Sequence, residues 1–324
     1  MNGPTGERVA RLRALVERAI LDGPAEAILL SAGLDTSIIA AVAAAHGRRP
    51  LAITVCTDAA APDHDFATRL AKILGFEHRV VWADEVALRR AIPETVSILR
   101  SFDPMELRNS VIQYLGLRAA ADGGTASCYV GDAADELFAG YSYMVAMQSE
   151  ALRRYTADLA TFMRFAAGPL GRALGVQTTS PFLDPELIRF AVELDPKLKI
   201  GERDGQRHGK WMLRLAFQDL LGAEFVWRPK LAVEFGSGST RLRQVMPQLL
   251  GEDGFAELEK MASREGVTLR DAEQAWYYRI FRNLLPPPRE LDPEAPKRCP
   301  QCCGPLRDRR SRYCPTCGAW PVAP

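Results

Sequence analysis

The sequence predicts an α/β protein with a doubly wound parallel sheet, a helical C-terminal half and a small cysteine-rich tail. Three observations support this fold class. Short apolar runs alternate with helical segments over the first 140 residues. Beyond residue 140 the apolar residues recur at helical spacing. Five of the seven cysteines lie between positions 299 and 317.

The strands are predicted from four runs that are almost continuously apolar, as expected for strands that helices cover on both faces. The runs are AILL (27–30), LAITVC (51–56), HRVVW (78–82) and SCYVGD (127–132). Helices are predicted over 7–21, 36–45, 63–74 and 105–121. In a parallel sheet of this kind, ligands bind at the carboxyl ends of the strands.

The second half of the chain is predicted to be helical, with segments at 143–166, 185–194, 208–221, 240–250 and 268–285. The proline-rich, charged stretch PPPRELDPEAP that follows is typical of a linker. We therefore predict a first domain over 1–285, with a sheet part at 22–140 and a helical part at 141–285. A linker at 286–298 and a small module at 299–324 complete the chain.

Charge and hydropathy exclude several classes of protein. The formal net charge is +1, so no overall field attracts nucleic acid or a membrane. No apolar run reaches the ~18 residues of a membrane span. Charged residues interrupt the first 20 positions, which argues against a signal peptide. We expect a cytoplasmic protein with no membrane partner.

The loop LSAGLDTS follows the first predicted strand and leads into a helix. Such a loop presents free N–H groups and the positive end of the helix dipole, and so binds anions. Ser31, Thr36 and Ser37 add hydroxyl donors, and Gly33 permits close approach. Asp35 would repel a phosphate unless a divalent cation lay between them, which indicates Mg²⁺-pyrophosphate and hence ATP. The alternative is a helix cap formed by the Asp and Ser side chains.

A second loop, YVGDAADELFAGY (129–141), follows the fourth predicted strand. It carries three carboxylates, Asp132, Asp135 and Glu136, within five residues. Acids are common in the first turn of a helix, which is the alternative interpretation. Their place at the carboxyl end of a strand, opposite the first loop, favours a functional site.

Both loops resemble known motifs. LSAGLDTS resembles the S-G-G-x-D-S signature of PP-loop ATP pyrophosphatases. YVGDAADELFAGY is similar to the G-[DE]-G-x-D-E-L-F-x-G-Y motif of asparagine synthetases and their β-lactam synthetase relatives. SPFLDPELIRFAVELDPKLKI (180–200), HGKWMLRLAFQDLL (208–221) and RPKLAVEFGSG (228–238) extend the resemblance, which covers about residues 8 to 285. It implies the PP-loop, adenine nucleotide α-hydrolase-like fold.

The resemblance also implies an activity. Members of this family are ATP-dependent amide-forming ligases, which adenylate a carboxylate, release pyrophosphate and transfer the acyl group to ammonia or another amine. About 27 residues precede the first predicted strand, too few for the family's glutaminase domain. The implied nitrogen source is therefore free ammonia, a separate glutaminase or a different amine, and the carboxylate is a small molecule or is borne by a protein.

Residue roles follow from the resemblance position by position. Asp35 and Asp135 match the magnesium ligands, and Asp132 matches the acid that takes a proton from the attacking amine. Lys230 matches a catalytic lysine, while Lys210 is either a phosphate contact or a structural ion pair. The implied nucleotide contacts are Leu30, Ser31, Gly33, Asp35, Thr36, Ser37, Val55, Gly131 and Lys210, with Leu30 and Val55 near adenine. Alanines stand at three family glycine positions, 32, 133 and 139.

The tail contains C-x-x-C twice, at Cys299/Cys302 and Cys314/Cys317. Four thiolates at this spacing can close a tetrahedral Zn²⁺ site, and zinc supplies folding free energy that so short a module lacks. We therefore predict a zinc ribbon, with a redox or iron–sulfur role as the alternative. Cys303 is the spare cysteine, although its pairing with Cys299 stays open.

Basic residues surround the predicted ribbon: Lys297, Arg298, Arg307, Arg309, Arg310 and Arg312, with one acid, Asp308. Charge alone does not choose between RNA, an acidic carrier protein and the protein's own surface as their partner.

Two other functions remain open from the sequence. One is a tRNA-modifying PP-loop enzyme that uses the ribbon to bind RNA. Cys56 and Cys128 lie in apparent core strands, which argues against sulfur transfer. The other is a nucleotide-binding scaffold that recruits a partner through its tail.

Overall fold

The computed structural model describes residues 4–251, 254–307 and 311–322. Its central element is a five-stranded sheet of β1 Ala27–Leu29, β2 Leu51–Cys56, β3 His78–Trp82, β4 Ser127–Tyr129 and β5 Gln177–Thr179, in the order β3-β2-β1-β4-β5. The pairs β1–β2, β1–β4 and β4–β5 are parallel. Two small antiparallel pairs follow, β6 Gly201–Arg203 with β7 Gln206–His208 and β8 Lys297–Arg298 with β9 Pro305–Leu306.

The predicted doubly wound sheet is confirmed. The chain runs outward from β1 to β3 and then returns to place β4 on the other side of β1. Ala27 is therefore in register with both Leu51 and Cys128. The loops that leave the carboxyl ends of β1 and β4 lie at this switch in strand order, where sheets of this kind bind ligands.

Helices occupy most of the remaining chain. They are α1 Pro4–Asp22, α2 Leu34–Ala45, α3 Pro62–Leu74, α4 Glu85–Leu99, α5 Pro104–Asp122, α6 Ala134–Leu137, α7 Ser142–Val145, α8 Ser149–Phe162, α9 Ala167–Leu174, α10 Pro185–Glu193, α11 Pro196–Lys199, α12 Trp211–Val226, α13 Val233–Gly236, α14 Leu242–Gln248, α15 Gly254–Arg264 and α16 Ala272–Leu284. None of the helices in this described part of the chain is both long and apolar enough to cross a bilayer.

Several predicted boundaries need correction. The helix predicted over 143–166 is two helices, α7 and α8. The helix predicted over 208–221 begins only at Trp211, because His208 belongs to β7. The fourth predicted strand ends at Tyr129, so Val130 to Asp132 lie in the loop. β5 was not predicted, because its three residues, Gln-Thr-Thr, contain no apolar run.

The chain forms two compact units. Unit 1 comprises Met1–Val55, Ala59–Val81 and Gly116–Ala232, and unit 2 comprises Cys56–Asp58, Trp82–Leu115 and Val233–Pro324. The predicted division into 1–285, 286–298 and 299–324 stays a prediction. Within unit 2, the cysteine-rich segment is hydrogen-bonded to its neighbours, since Phe102 N–H donates to Thr316 O at 2.7 Å and Thr268 N–H donates to Gln301 O at 2.7 Å.

The core of unit 1 lies where α1, α2, α10 and α12 pack together. Helix α2 is apolar on all sides from Ile38 onward, and its residues from Leu34 to Ala43 are buried. A helix with that composition must be covered on every side. Burial of α2 holds its N-terminal turn, and Asp35 within it, in a fixed place at the end of β1.

The core of unit 2 is aromatic and centres on α16. The Phe102 ring lies edge-on to Tyr278 at 5.0 Å and to Phe281 at 5.2 Å between centroids. Such contacts stabilise aromatic pairs beyond simple burial. Arg108 is also buried here and is ion-paired with Glu234 and Glu273.

Candidate active site at the carboxyl ends of β1 and β4

The first loop of the site joins β1 to α2. Its cap residue is Gly33, and no side chain caps the helix. The N–H groups of the first turn therefore remain open to a ligand. Ser31 Oγ accepts from Gly33 N–H at 3.2 Å and lies 3.3 Å from Thr36 Oγ1, whereas the buried Ser37 Oγ has no hydrogen-bond partner among the described residues. The capping alternative is therefore not supported, and the loop retains the donors that an anion requires.

The second loop joins β4 to the single helical turn α6. Ser180 Oγ donates to the main-chain oxygen of Asp132 at 2.7 Å, which fixes the loop behind that acid. Gly131 lies against the first loop, since a Cβ built there would be 3.0 Å from Thr36 Cγ2. The two loops are thus in contact, as expected at the switch in strand order.

Asp35 and Asp135 converge around one ammonium group. Lys210 Nζ lies 2.8 Å from Asp35 Oδ1, 2.6 Å from Asp35 Oδ2 and 2.7 Å from Asp135 Oδ1. Lys230 Nζ lies 2.9 Å from Asp135 Oδ2. The Lys210 side chain is only 4% exposed, and Lys230 is 34% exposed. Lys210 therefore forms ion pairs with both aspartates, and its predicted phosphate contact stays a prediction.

Burial and charge act in opposite directions in this cluster. Burial raises the pKa of Asp35. Burial also opposes ionisation of Asp135, but Lys210 and Lys230 outweigh it and hold the pKa of Asp135 below its usual value. Burial would lower the pKa of Lys210, yet the two aspartates outweigh it and raise that pKa. The site is therefore a charged cluster of two carboxylates and two ammonium groups.

The backbone is built closely around Lys210. Its N–H donates to Phe138 O at 2.8 Å, and its φ of 55° is left-handed. A side chain at Gly140 would overlap both Asp135 Oδ1 and Lys210 Cε. The alanines at positions 32, 133 and 139 also have positive φ, of 52°, 79° and 58°. Glycine adopts that conformation at lower cost, which accounts for the glycines of the family motif.

The donor set fits a hard divalent cation and a nucleotide triphosphate. Asp35 and Asp135 supply carboxylate oxygens, the ligands that Mg²⁺ prefers. The open turn of α2 and the two lysines supply positive charge for phosphate oxygens. The carboxylate edges that would bind the metal now contact Lys210.

The predicted adenine contacts are buried in the sheet. Leu30 and Val55 are 1% and 7% exposed. Leu30 N–H donates to Ile53 O at 2.8 Å, and Leu30 O accepts from Thr54 Oγ1 at 2.6 Å. Of the polar main-chain groups of Leu30, only the second lone pair of its carbonyl is left for a ligand.

Sequence reasoning missed Arg228, which supports the first loop. Arg228 donates to Ser31 O at 2.9 Å and to Asp63 Oδ1 at 2.8 Å. Asp63 lies in the first turn of α3. The only signal for Arg228 in the sequence was its position two residues before Lys230.

An aromatic group next to the cluster was also missed. Tyr141 donates to Glu136 Oε1 at 2.6 Å, and its ring centroid is 5.7 Å from Lys230 Nζ. Tyr143 stacks on Tyr141 at 5.5 Å, and 48% of Tyr143 is exposed. The D-E-L-F-A-G-Y segment therefore carries a ring beside the site as well as acids.

A separate four-cysteine cluster lies in unit 2. The Sγ atoms of Cys299 and Cys317, and those of Cys302 and Cys314, are 3.7 Å apart, and all four lie within 4.8 Å of one another. Tetrahedral zinc with Zn–S of about 2.3 Å places sulfurs about 3.8 Å apart. The N–H groups of Gln301 and Gly304 donate to Cys299 Sγ and Cys302 Sγ, each at 3.4 Å. The four-thiolate arrangement fits zinc.

The spare cysteine is identified by its position. Cys303 Sγ contacts Gly266 O at 3.4 Å and is outside the cluster, so the alternative pairing of Cys299 with Cys303 is not observed. Among the basic residues of the tail, Arg298 donates to main-chain oxygens that include Asp292 O at 2.9 Å. Arg309 and Arg310 lie outside the described residues.

Residues 10–170 and 150–301 match the family model for asparagine synthase. The chain is 32% identical to carboxyethyl-arginine β-lactam-synthase of Streptomyces clavuligerus, over 81% of this chain and 51% of that protein. It is 30% identical to asparagine synthetase [glutamine-hydrolyzing] 2 of Arabidopsis thaliana, over 85% of this chain and 50% of that protein.

The chain thus spans about half the length of the curated relatives it matches. Among solved structures, NMN synthetase from Francisella tularensis is 16% identical, with a TM-score of 0.32, over 62% of this chain and 100% of that chain. That structural likeness is weak, and the sequence matches carry the comparison.

Proposed function

Because the chain belongs to the asparagine synthase family, we propose that it is an ATP-dependent amide-forming ligase. It would activate a carboxylate as an acyl-adenylate, release pyrophosphate and pass the acyl group to ammonia or another amine. The observation that carries this proposal is the convergence of Asp35 and Asp135 at the ends of β1 and β4. Cleavage of ATP needs this combination of metal ligands and phosphate-binding charge at one point.

The first loop would hold the triphosphate. The open N–H groups of α2 and the hydroxyls of Ser31, Thr36 and Ser37 would donate hydrogen bonds to phosphate oxygens. The N-terminus of the helix would add to this, because helix N-termini stabilise anions. Asp35 and Asp135 would hold Mg²⁺, which when bound supplies a Lewis acid for the departing pyrophosphate. Gly131 keeps the two loops in contact.

Asp132 would accept the proton that the attacking amine loses. An amine that attacks an acyl-adenylate must shed a proton, and a carboxylate within reach can take it. Lys230 would stabilise negative charge on the leaving pyrophosphate or on the tetrahedral intermediate. Its partial exposure, 34%, allows the ammonium to leave Asp135 for a substrate oxygen.

The activity is testable without knowing the substrate. ATP–pyrophosphate exchange can be measured with pooled carboxylates, followed by AMP formation when pooled amines are added. We expect exchange with at least one carboxylate pool in the wild-type protein. Asp35→Asn should abolish exchange, because it removes a metal ligand. Asp132→Asn should retain exchange but lose amide formation, because adenylation precedes proton removal.

A matched control is Asp122→Asn, an exposed acid at the end of α5. It should behave as wild type in both steps. If Asp35→Asn and Asp132→Asn both formed the amide at the wild-type rate, the proposed ligase function would be wrong.

The substrates proposed are a small-molecule or protein-borne carboxylate together with ammonia or another amine. A separate glutaminase or an acidic carrier protein would be partners consistent with that chemistry, and a cytoplasmic location remains a prediction from the sequence. For the four-cysteine cluster we propose a structural zinc site, since its four sulfurs lie within 4.8 Å of one another and two of their separations, 3.7 Å, match tetrahedral zinc.

The tRNA-modifying alternative is less well supported. Sulfur transfer requires an accessible thiolate. Cys56 and Cys128 are completely buried, and burial raises the pKa of Cys128 to about 12. Neither thiol suits that chemistry.

A further inference from the structure

Lys210 sits where a metal ion shared by Asp35 and Asp135 would be expected. Its ammonium contacts three carboxylate oxygens at 2.6, 2.7 and 2.8 Å. Two aspartates from separate loops thus share one cation that the protein itself supplies.

The charge balance of the cluster is already complete. Asp35 and Asp135 contribute two negative charges, and Lys210 and Lys230 contribute two positive charges. A divalent cation added to this buried group would introduce uncompensated positive charge, which is costly at low dielectric. A triphosphate supplies the negative charge that would compensate both the metal and the lysine.

The position of the ammonium is built into the backbone. Lys210 N–H is anchored to Phe138 O at 2.8 Å, and Gly140 leaves the space that the Lys210 side chain crosses. Lys230 differs from Lys210 in two ways. Among the described residues its ammonium is ion-paired with Asp135 but not with Asp35, and its side chain is partly exposed. The two lysines are therefore not equivalent.

We propose that Lys210 is a positioning residue that substitutes for Mg²⁺ when no nucleotide is bound. The metal then enters only together with the triphosphate, which receives the displaced ammonium. This inference rests on the proposed function, since it takes Asp35 and Asp135 as metal ligands. The inference adds that Mg²⁺ binds only together with the triphosphate, so that free metal does not occupy the site.

The test measures metal binding directly. Mn²⁺ is titrated into the wild-type protein, Lys210→Met and Lys230→Met, without nucleotide, and free Mn²⁺ is followed by electron paramagnetic resonance. We expect Lys210→Met to bind Mn²⁺ at least about tenfold more tightly than wild type. The Lys210 ammonium competes with the metal for the same carboxylates, and an effect of about tenfold is typical of two coupled binding events. Lys230→Met should stay within about threefold of wild type, because it leaves the shared position occupied.

A second measurement uses only the wild-type protein, in case Lys210→Met does not fold. Mn²⁺ should bind weakly to the protein alone and at least about tenfold more tightly when a non-hydrolysable α,β-methylene ATP analogue is present, after correction for binding to the analogue itself. Equal affinity with and without the analogue would overturn the proposal.

The outcomes separate this inference from the proposed function. If ATP–pyrophosphate exchange is present but Lys210→Met binds Mn²⁺ no more tightly than wild type, the role given to Lys210 is wrong and the ligase function stands. If wild type shows no exchange and binds no Mn²⁺ even with the analogue, the proposed function fails, and the inference fails with it.

Discussion

Arg228 Nη2 lies 2.8 Å from Asp63 Oδ1, and both side chains are less than 10% exposed. The same guanidinium donates through Nη1 to Ser31 O at 2.9 Å, and its Cζ lies 4.3 Å from the Phe66 ring centroid. One buried cation therefore connects the loop after β1 with the start of α3. We expect the shape of the loop after β1 to depend on this contact.

Arg228→Met should destabilise the protein and weaken ATP binding. Breaking a buried ion pair leaves Asp63 uncompensated, at a cost of about 3–5 kcal/mol in the free energy of unfolding. Urea denaturation and the KM for ATP in the exchange assay measure the two effects. Arg207→Met, at an exposed residue of β7, is the matched control and should change neither. An unchanged KM in Arg228→Met would show that the contact does not shape the loop.

Gly140→Ala should disrupt the site while its neighbour Ala139→Gly should be tolerated. A Cβ at position 140 would overlap Asp135 Oδ1 and Lys210 Cε, and forced overpacking costs about 1–3 kcal/mol. Ala139 has a φ of 58°, so glycine relieves strain there while it adds chain entropy to the unfolded state. We expect Ala139→Gly to stay within about 1 kcal/mol of wild type. Thermal unfolding and ATP–pyrophosphate exchange distinguish the two variants, and wild-type exchange in Gly140→Ala would contradict the packing described here.

Lys230→Met should reduce turnover with little effect on stability. Lys230 is 34% exposed and makes one ion pair, so its loss alters the folded state little. Loss of a charge that stabilises the transition state typically lowers kcat by about 10²–10³. The measurement is kcat for amide formation, and the control is the exposed Lys197→Met. If turnover fell less than about threefold, Lys230 would have no catalytic role.

The free energy of unfolding should decrease as the pH is lowered below about 6.5, because of His78. Thr54 Oγ1 donates to Leu30 O at 2.6 Å, so His78 Nε2–H, 2.8 Å away, must donate to Thr54. Burial, with a smaller effect of His64, lowers the pKa of His78 from 6.5. The unfolded chain therefore binds the proton first, so the stabilising contribution is present above pH 6.5 and is lost as the pH falls towards the folded-state value. Urea denaturation between pH 7.5 and pH 5 should show a weaker pH dependence in His78→Gln, and equal slopes would contradict this assignment.

Cys302→Ser should release zinc, whereas the adjacent Cys303→Ser should retain it. Cys302 belongs to the four-cysteine cluster, but Cys303 contacts Gly266 O outside it. Metal analysis should find one zinc per chain in wild type and Cys303→Ser. Because metal binding contributes to folding, Cys302→Ser should lower the Tm of a transition that includes unit 2. The reverse pattern, with zinc lost only from Cys303→Ser, would mean that the ligands are wrongly assigned.

The strands and the two motif loops could be predicted because their signals are local. Runs such as LAITVC have a composition that only a fully covered strand tolerates, and β2 occupies those same residues. The glycine, the three hydroxyls and the acid of the loop after β1 lie close together in the chain, so their chemistry is visible without a structure. The four cluster cysteines were identified in the same way, by their C-x-x-C spacing.

β5 and α4 were not predicted, for two different reasons. β5 is three polar residues at the edge of the sheet, and only its pairing with β4 makes it a strand. α4 contains Pro93, which normally ends a helix. In both cases tertiary contacts outweigh local preference.

The amino-acid order alone determined the fold class, the family resemblance and the presence of acids at the ends of two strands, because each depends on neighbouring residues. Only the tertiary structure decided that Lys210 stands between Asp35 and Asp135, that Arg228 holds Asp63, and that Cys302 rather than Cys303 faces the other thiols. These pairings join residues up to 175 positions apart. Their distances depend on how loops and helices pack, which no local pattern specifies.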